Sequence, residues 1–169
     1  MTPARFWDLI EKNIDVSENF EVDPSRLERA LIALPPEEII EFNARFNEPY
    51  TESYSWALWG AAYLINGGCS DDGFDYFRGW LIAQGKRVFD AAVADPDSLV
   101  DHSEMDVECE DMLYVAARAY KAAIGGKEMP AIPYRYPELG QGWDFDDDDE
   151  MARRYPRLFT KYVGSQEGA

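Results

Sequence analysis

Apolar residues return every three or four positions over most of this chain, and that spacing predicts helices rather than strands. Phe6, Trp7, Leu9, Ile10 and Ile14 recur in this way behind Pro3, so the first helix is expected over Pro3–Asn13. Asp23 and Pro24 have the chemistry of an N-cap and a first helical position, and Leu27, Leu31 and Leu34 continue one face, which predicts a helix over 24–34. A third helix starts at Pro36, with Ile39, Phe42 and Phe46 inward; Pro49 is expected to break or kink it, because it has no N–H and crowds the preceding turn. Residues 56–65 contain no charged group and have no polar side, so a helix there must be covered all round. Asp71–Gln84 is nearly as apolar, with Phe74, Phe77 and Leu81 on one stripe and Gly85 as its stop. Those two segments form the expected central buried hairpin.

Farther on, Val88, Phe89, Ala92 and Val93 predict a helix over Lys86–Ala94, and Asp-Pro-Asp-Ser a turn. Ser103 with Asp106 resembles a capping box, and Met105, Cys109, Met112, Ala116, Ala119 and Ala123 share a stripe, so a long helix is expected from Ser103 to Gly125. Pro130, Pro133 and Pro137 forbid regular structure after Lys127, where Tyr134, Tyr136 and Trp143 are expected to pin the segment to the core. A last short helix is expected over Asp147–Tyr155, with Leu158, Phe159 and Tyr162 packing behind it. No segment reads as a strand. The fold class is all-α: one irregular helical bundle over residues 1–163, with a disordered tail at 164–169.

Charge narrows the partners. The 169 residues hold 33 acids and 16 bases, a net charge of −17. A field of that sign repels nucleic-acid phosphates and anionic membranes and admits cations or a basic protein partner. With 46% apolar and 14% aromatic residues, the excess belongs to a folded domain and not to an acidic tail. Cys69 and Cys109 fit no zinc spacing, the N-terminal residues are charged where a signal peptide is apolar, and no run reaches membrane-span length, so a cytoplasmic protein with reduced thiols is expected.

The densest candidate for chemistry is Asn66-Gly-Gly-Cys-Ser-Asp-Asp-Gly73, at the corner of the hairpin. Read structurally, Gly67 or Gly68 stops one helix, Ser70 caps the next, Asp71 and Asp72 suit its positive end, and Cys69 tucks inward. Read functionally, Asn66, Ser70, Asp71 and Asp72 gather polar oxygens for a ligand. A nucleophilic role for Cys69 is disfavoured, because flanking acids raise its pKa. Arg78, the one strong base on its helix, is expected to pair with Asp75, Asp71 or Asp72; the alternative is a ligand carboxylate or phosphate. His102, Asp106 and Glu110 recur every four residues but read as a solvated face. Asp146, Asp147, Asp148, Asp149 and Glu150 lack the spacing of an EF-hand and suit a helix start, though the run offers low-affinity capture of Ca²⁺ or Mg²⁺. No cofactor is otherwise implied. The five tryptophans read as core.

The stretch from Ser55 to Leu99, SWALWGAAYLINGGCSDDGFDYFRGWLIAQGKRVFDAAVADPDSL, followed by LYVAARAY and preceded by FWDLIE, resembles the bacterial family known as domain of unknown function 4240. The likeness covers about residues 4–125. It implies a small single-domain protein and carries over no catalytic residue. Two function classes follow from the residues. With no phosphate loop and no nucleophile–base pair, a protein-interaction or regulatory module is the first; a carboxylate- or metal-dependent enzyme with a site near the 66–73 turn is the alternative. A smooth acidic exterior with corner acids used in helix caps favours the first, and a pocket of convergent carboxylates the second.

Overall fold

The computed structural model describes residues 1–164. Of the expected tail, Gly164 is described and residues 165–169 lie outside the described residues. Among the described residues the elements are helices and one small ladder, in the order α1 (Pro3–Asn13), β1 (Asp15–Val16), β2 (Val22–Asp23), α2 (Ser25–Ile32), α3 (Pro36–Glu52), α4 (Trp56–Asn66), α5 (Asp71–Ala83), α6 (Lys86–Ala94), a 3₁₀ turn (Pro96–Asp101), α7 (Asp111–Ala123), α8 (Asp148–Arg154) and α9 (Pro156–Tyr162). The all-α class is therefore correct. Among the described residues the antiparallel pairing Asp15 to Asp23 and Val16 to Val22 is the one sheet, a ladder of two-residue strands too short for alternation to signal.

Local chemistry sets the ends. Thr2 Oγ1 accepts from Arg5 N and Ser55 Oγ from Leu58 N, each at 3.2 Å, so α1 and α4 open on hydroxyl caps. Asp97, buried in the 3₁₀ turn, accepts from Arg157 N (3.1 Å) and Leu158 N (2.9 Å) and so caps α9 from a distant part of the chain. Pro49 does not break α3. It falls in the last turn, where Ser53 N and Ser53 Oγ bond Pro49 O at 2.9 and 2.8 Å and close the end of the helix around it.

The core runs along α5. Phe74, Phe77, Arg78, Trp80, Leu81 and Ile82 are fully buried, and they meet Phe42 of α3, Leu58, Ala61 and Ile65 of α4, and Met112, Val115 and Ala119 of α7 in one continuous cluster. No residue of α4 is exposed, as its uncharged sequence requires. Trp59 is half-buried and stacks on Phe74 with ring centroids 4.7 Å apart, which joins α4 to α5.

The long helix expected from Ser103 begins instead at Asp111. Between them the chain is irregular: Asp106 has φ 61°, Ser103 Oγ bonds Leu99 O at 2.7 Å and the Tyr162 hydroxyl at 2.8 Å, and Cys109 N bonds Tyr76 O at 3.0 Å. Val107 and Cys109 are buried while Asp106, Glu108 and Glu110 are exposed, a period of two that overrides the helical stripe. Met105, expected inward, is 58% exposed. After α7 the chain has no regular structure from 127 to 144, and Tyr134, Tyr136 and Trp143 hold it to the body as expected. The helix expected over Asp147–Tyr155 is α8, and the residues expected only to pack behind it form a further helix, α9, which Pro156 starts.

Candidate functional site

At the corner between α4 and α5, Gly67 takes φ 63° and ends α4, and Ser70 Oγ accepts from Gly73 N at 3.1 Å and caps α5. Asp71 and Asp72 lie exposed in the first turn of α5, where the unpaired N–H groups favour negative charge. Asn66 closes a two-point bridge across the loop: its Nδ2 donates to Val107 O (3.2 Å) and its Oδ1 accepts from Val107 N (3.0 Å). The residues of the corner thus hold the helix ends and the 103–110 segment together.

Five of them also face a shallow cavity of about 340 Å³, lined by Asn66, Gly68, Cys69, Ser70, Gly73, Asp106 and Glu108. Burial pushes the Cys69 thiol up to about 12, so it is a protonated, weakly reactive group. The direction is the one expected; its cause is burial, not the neighbouring acids. Asp71 and Asp72 do not line this cavity.

Arg78 is placed elsewhere. Fully buried on α5, it ion-pairs with Asp75, as expected, and donates from Nη1 to Tyr50 O (2.6 Å) and the Tyr134 hydroxyl (3.4 Å). Its guanidinium carbon lies 3.7 Å from the centre of the Tyr50 ring and 4.9 Å from that of Tyr54. Tyr50 O belongs to the last turn of α3, where a helix leaves carbonyls without partners and a cation is favoured. The other oxygen of Asp75 accepts from the Tyr136 hydroxyl at 2.5 Å, and burial with that hydrogen bond raises the Tyr136 phenol to about 12.

The acidic run 144–150 is similarly distributed. Asp146 accepts from the Tyr63 hydroxyl, Asp147 caps α8 by accepting from Glu150 N at 3.1 Å, Asp148 and Asp149 sit exposed in the first turn, and Glu150 takes both Arg153 and Arg154. Among the described residues, no three His, Cys, Asp or Glu side chains come together as ligands for a metal.

A larger cavity, of about 850 Å³, is not legible in the sequence. Its lining combines Phe20, Val22, Trp80, Met105 and Val107 with Glu21, Glu104, Asp106 and Glu108. It lies between the β1–β2 hairpin and the irregular 103–110 segment, and Trp80 Nε1 of α5 ties the hairpin to that helix by donating to Phe20 O at 2.7 Å. Phe20 and Asp106, on its opposite walls, are the non-glycine residues with positive φ among those described, at 62° and 61°. Asp106 and Glu108 line both this groove and the smaller cavity at the corner. A reading of 103–110 as helix hides the groove, because it places Met105 inside and distributes the acids differently.

Among the described residues, no helix is long and apolar enough to cross a membrane. No curated protein and no solved structure matches the chain. Residues 1–122 match the model of the family described as protein of unknown function (DUF4240), and the chain belongs to that family.

Proposed function

We propose that this protein is an interaction module that takes a basic segment of a partner protein into the groove between the β1–β2 hairpin and residues 104–108. The observation that carries the reading is the pairing of an apolar floor with a one-sign rim: Phe20, Val22, Trp80 and Val107 lie beneath Glu21, Glu104, Asp106 and Glu108, and no Lys or Arg lines the cavity. Apolar side chains of the partner supply contact area and its Lys or Arg residues meet the carboxylates, an arrangement that gives orientation and a fast encounter at low salt. Met105, exposed at the rim, adds an adaptable side chain of the kind used where a surface accepts more than one sequence. The chain's net charge of −17 draws the same partners from a distance.

Fluorescence anisotropy with an amphipathic Lys/Leu peptide tests this. Binding is expected at low salt, weakening as salt rises, and the combined substitutions Asp106→Asn and Glu108→Gln should reduce affinity about tenfold while stability changes by no more than about 0.5 kcal/mol. Equal affinity for the wild-type and substituted chains would overturn the reading. The second reading, a carboxylate- or metal-dependent enzyme, is favoured by one observation: Asn66, Ser70, Asp106 and Glu108 face a single small cavity. A rise in melting temperature with Mg²⁺ or Ca²⁺ that disappears with the same two substitutions would select it.

A further inference from the structure

Residues 127–144 cross the surface made by the end of α3, α4 and the start of α5 without forming any regular element. Among the described residues, no backbone–backbone hydrogen bond joins 127–143 to the helices. The attachment is made by side chains, as a bound peptide is held. Tyr134 packs at a tilt against Tyr50 (5.2 Å between centroids) and its hydroxyl accepts from Arg78; Tyr136 packs on Tyr54 (5.0 Å) and its hydroxyl donates to Asp75. Trp56 Nε1 donates to Gly140 O at 2.7 Å, and Gly142 lies so close to the Trp56 ring that a Cβ there would fall 2.8 Å from Cε2. Between the two tyrosines Arg135 is exposed.

We propose that this surface is a peptide-binding site selective for extended segments with a Tyr-x-Tyr-Pro element, and that Tyr134–Pro137 and the residues after it occupy it in cis. The Arg78–Asp75 pair offers a donor and an acceptor side by side. In an extended segment, residues i and i+2 point the same way about 7 Å apart, so two phenols meet one donor and one acceptor at that spacing. Proline holds the segment extended before binding, and an aromatic surface with an indole N–H that reaches a ligand carbonyl is the chemistry by which proline-bearing segments are recognised. Arg78 Nε is buried with no hydrogen-bond partner, which leaves unused donor capacity in the site. The receptor residues Tyr50, Tyr54, Trp56, Phe74, Asp75 and Arg78 lie within the 1–122 region that matches the family, and the occupant lies beyond it. Gly125 and Gly126, with φ 73° and 99°, form the joint between the two. The partner is accordingly a protein segment of the same chemistry, which must displace the internal one from an effective concentration of order mM.

The test uses the full chain and a labelled synthetic peptide of residues 130–143. The wild-type chain is expected to bind it weakly, and a chain carrying Tyr134→Ala with Tyr136→Ala to bind it at least tenfold more tightly. A peptide with phenylalanine at both tyrosine positions should lose that gain. Equal binding by both chains, or a released chain that pairs with its own copy and ignores the peptide, would overturn the proposal. Should the double substitution unfold the protein, limited trypsin digestion of the wild-type chain decides. Cleavage after Arg135 should be fast relative to cleavage within the helices, and an excess of the same peptide carrying Arg135→Gln, which trypsin does not cut, should accelerate it. Protection of Arg135 equal to that of the helices overturns the proposal.

Discussion

Helix α5 separates two sides of the molecule that treat charge in opposite ways. On one, Asp75 and Arg78 are paired, Arg78 is fully buried, and a strap bearing Tyr134 and Tyr136 lies over them. On the other, Tyr76 and Gly79 meet an irregular segment whose acids Asp106 and Glu108 line an open groove with no Lys or Arg in its lining, while Glu104 at its rim lies 3.8 Å from Lys161. The strapped side can tolerate a buried guanidinium because a carboxylate, a carbonyl, a phenol and aromatic faces all meet it. The groove side can tolerate unpaired acids because water reaches them. Burial demands partners and exposure does not, so the open side keeps carboxylates in water while most polar groups of the strapped side are bonded within the chain.

The strapped side is the more sensitive to loss of charge. Arg78→Ala leaves Asp75 unpaired and the end of α3 without its cation, and a loss of about 3–5 kcal/mol is expected, or on the order of 10 °C in melting temperature by circular dichroism. A change under about 2 °C would mean that the aromatic strap, and not the ion pair, organises that side.

The groove side depends on close approach. A Cβ on Gly79 would lie 2.6 Å from Cys109 O, so Gly79→Ala must push the 103–110 segment off α5. About 1–3 kcal/mol of destabilisation is expected, with weaker basic-peptide binding than the stability change explains. Unaltered peptide affinity would show that the groove wall is set elsewhere.

Alkaline titration touches both sides at once and has the smallest effect near neutrality. Burial raises Cys69 to about 12 and Cys109 to about 11 on the groove side, and Tyr136 to about 12 and Tyr50 higher on the strapped side. Each folded-state value exceeds the ordinary 9.0 of a thiol or 10.0 of a phenol, so the unfolded chain releases these protons first. Stability is therefore expected to be insensitive to these groups below about pH 9 and to fall as pH rises beyond it. Cys69→Ser should reduce the first part of that slope and Tyr136→Phe a later part, as followed by melting temperature against pH.

Most helices were readable because their signals are local. The uncharged run from Trp56, Ser70 before two aspartates, and Pro3 and Pro36 at helix starts each act through the backbone within one turn. The Arg78–Asp75 pair was readable for the same reason, since i and i+3 share a helix face. Pro49 misled because its effect depends on how much helix follows. The stripe through Met105 and Cys109 misplaces the helix start because a helical stripe and a period-two segment can share positions over a short span: Cys109 is buried in both, Met105 is not, and the bonds that chose between them come from Asn66 and Tyr76, far away in sequence.

The sequence by itself determined the helical class, the covered hairpin of α4 and α5, and the cap-forming role of the glycine corner, because propensity, periodicity and capping are set by neighbours along the chain. Tertiary structure alone decided that residues 103–110 open into a groove, that the acids of 144–150 disperse among Tyr63, a helix cap and two arginines, and that Tyr134 and Tyr136 find Arg78 and Asp75. Those outcomes depend on which distant groups satisfy a buried donor, acceptor or charge, a requirement that burial creates and no local pattern encodes.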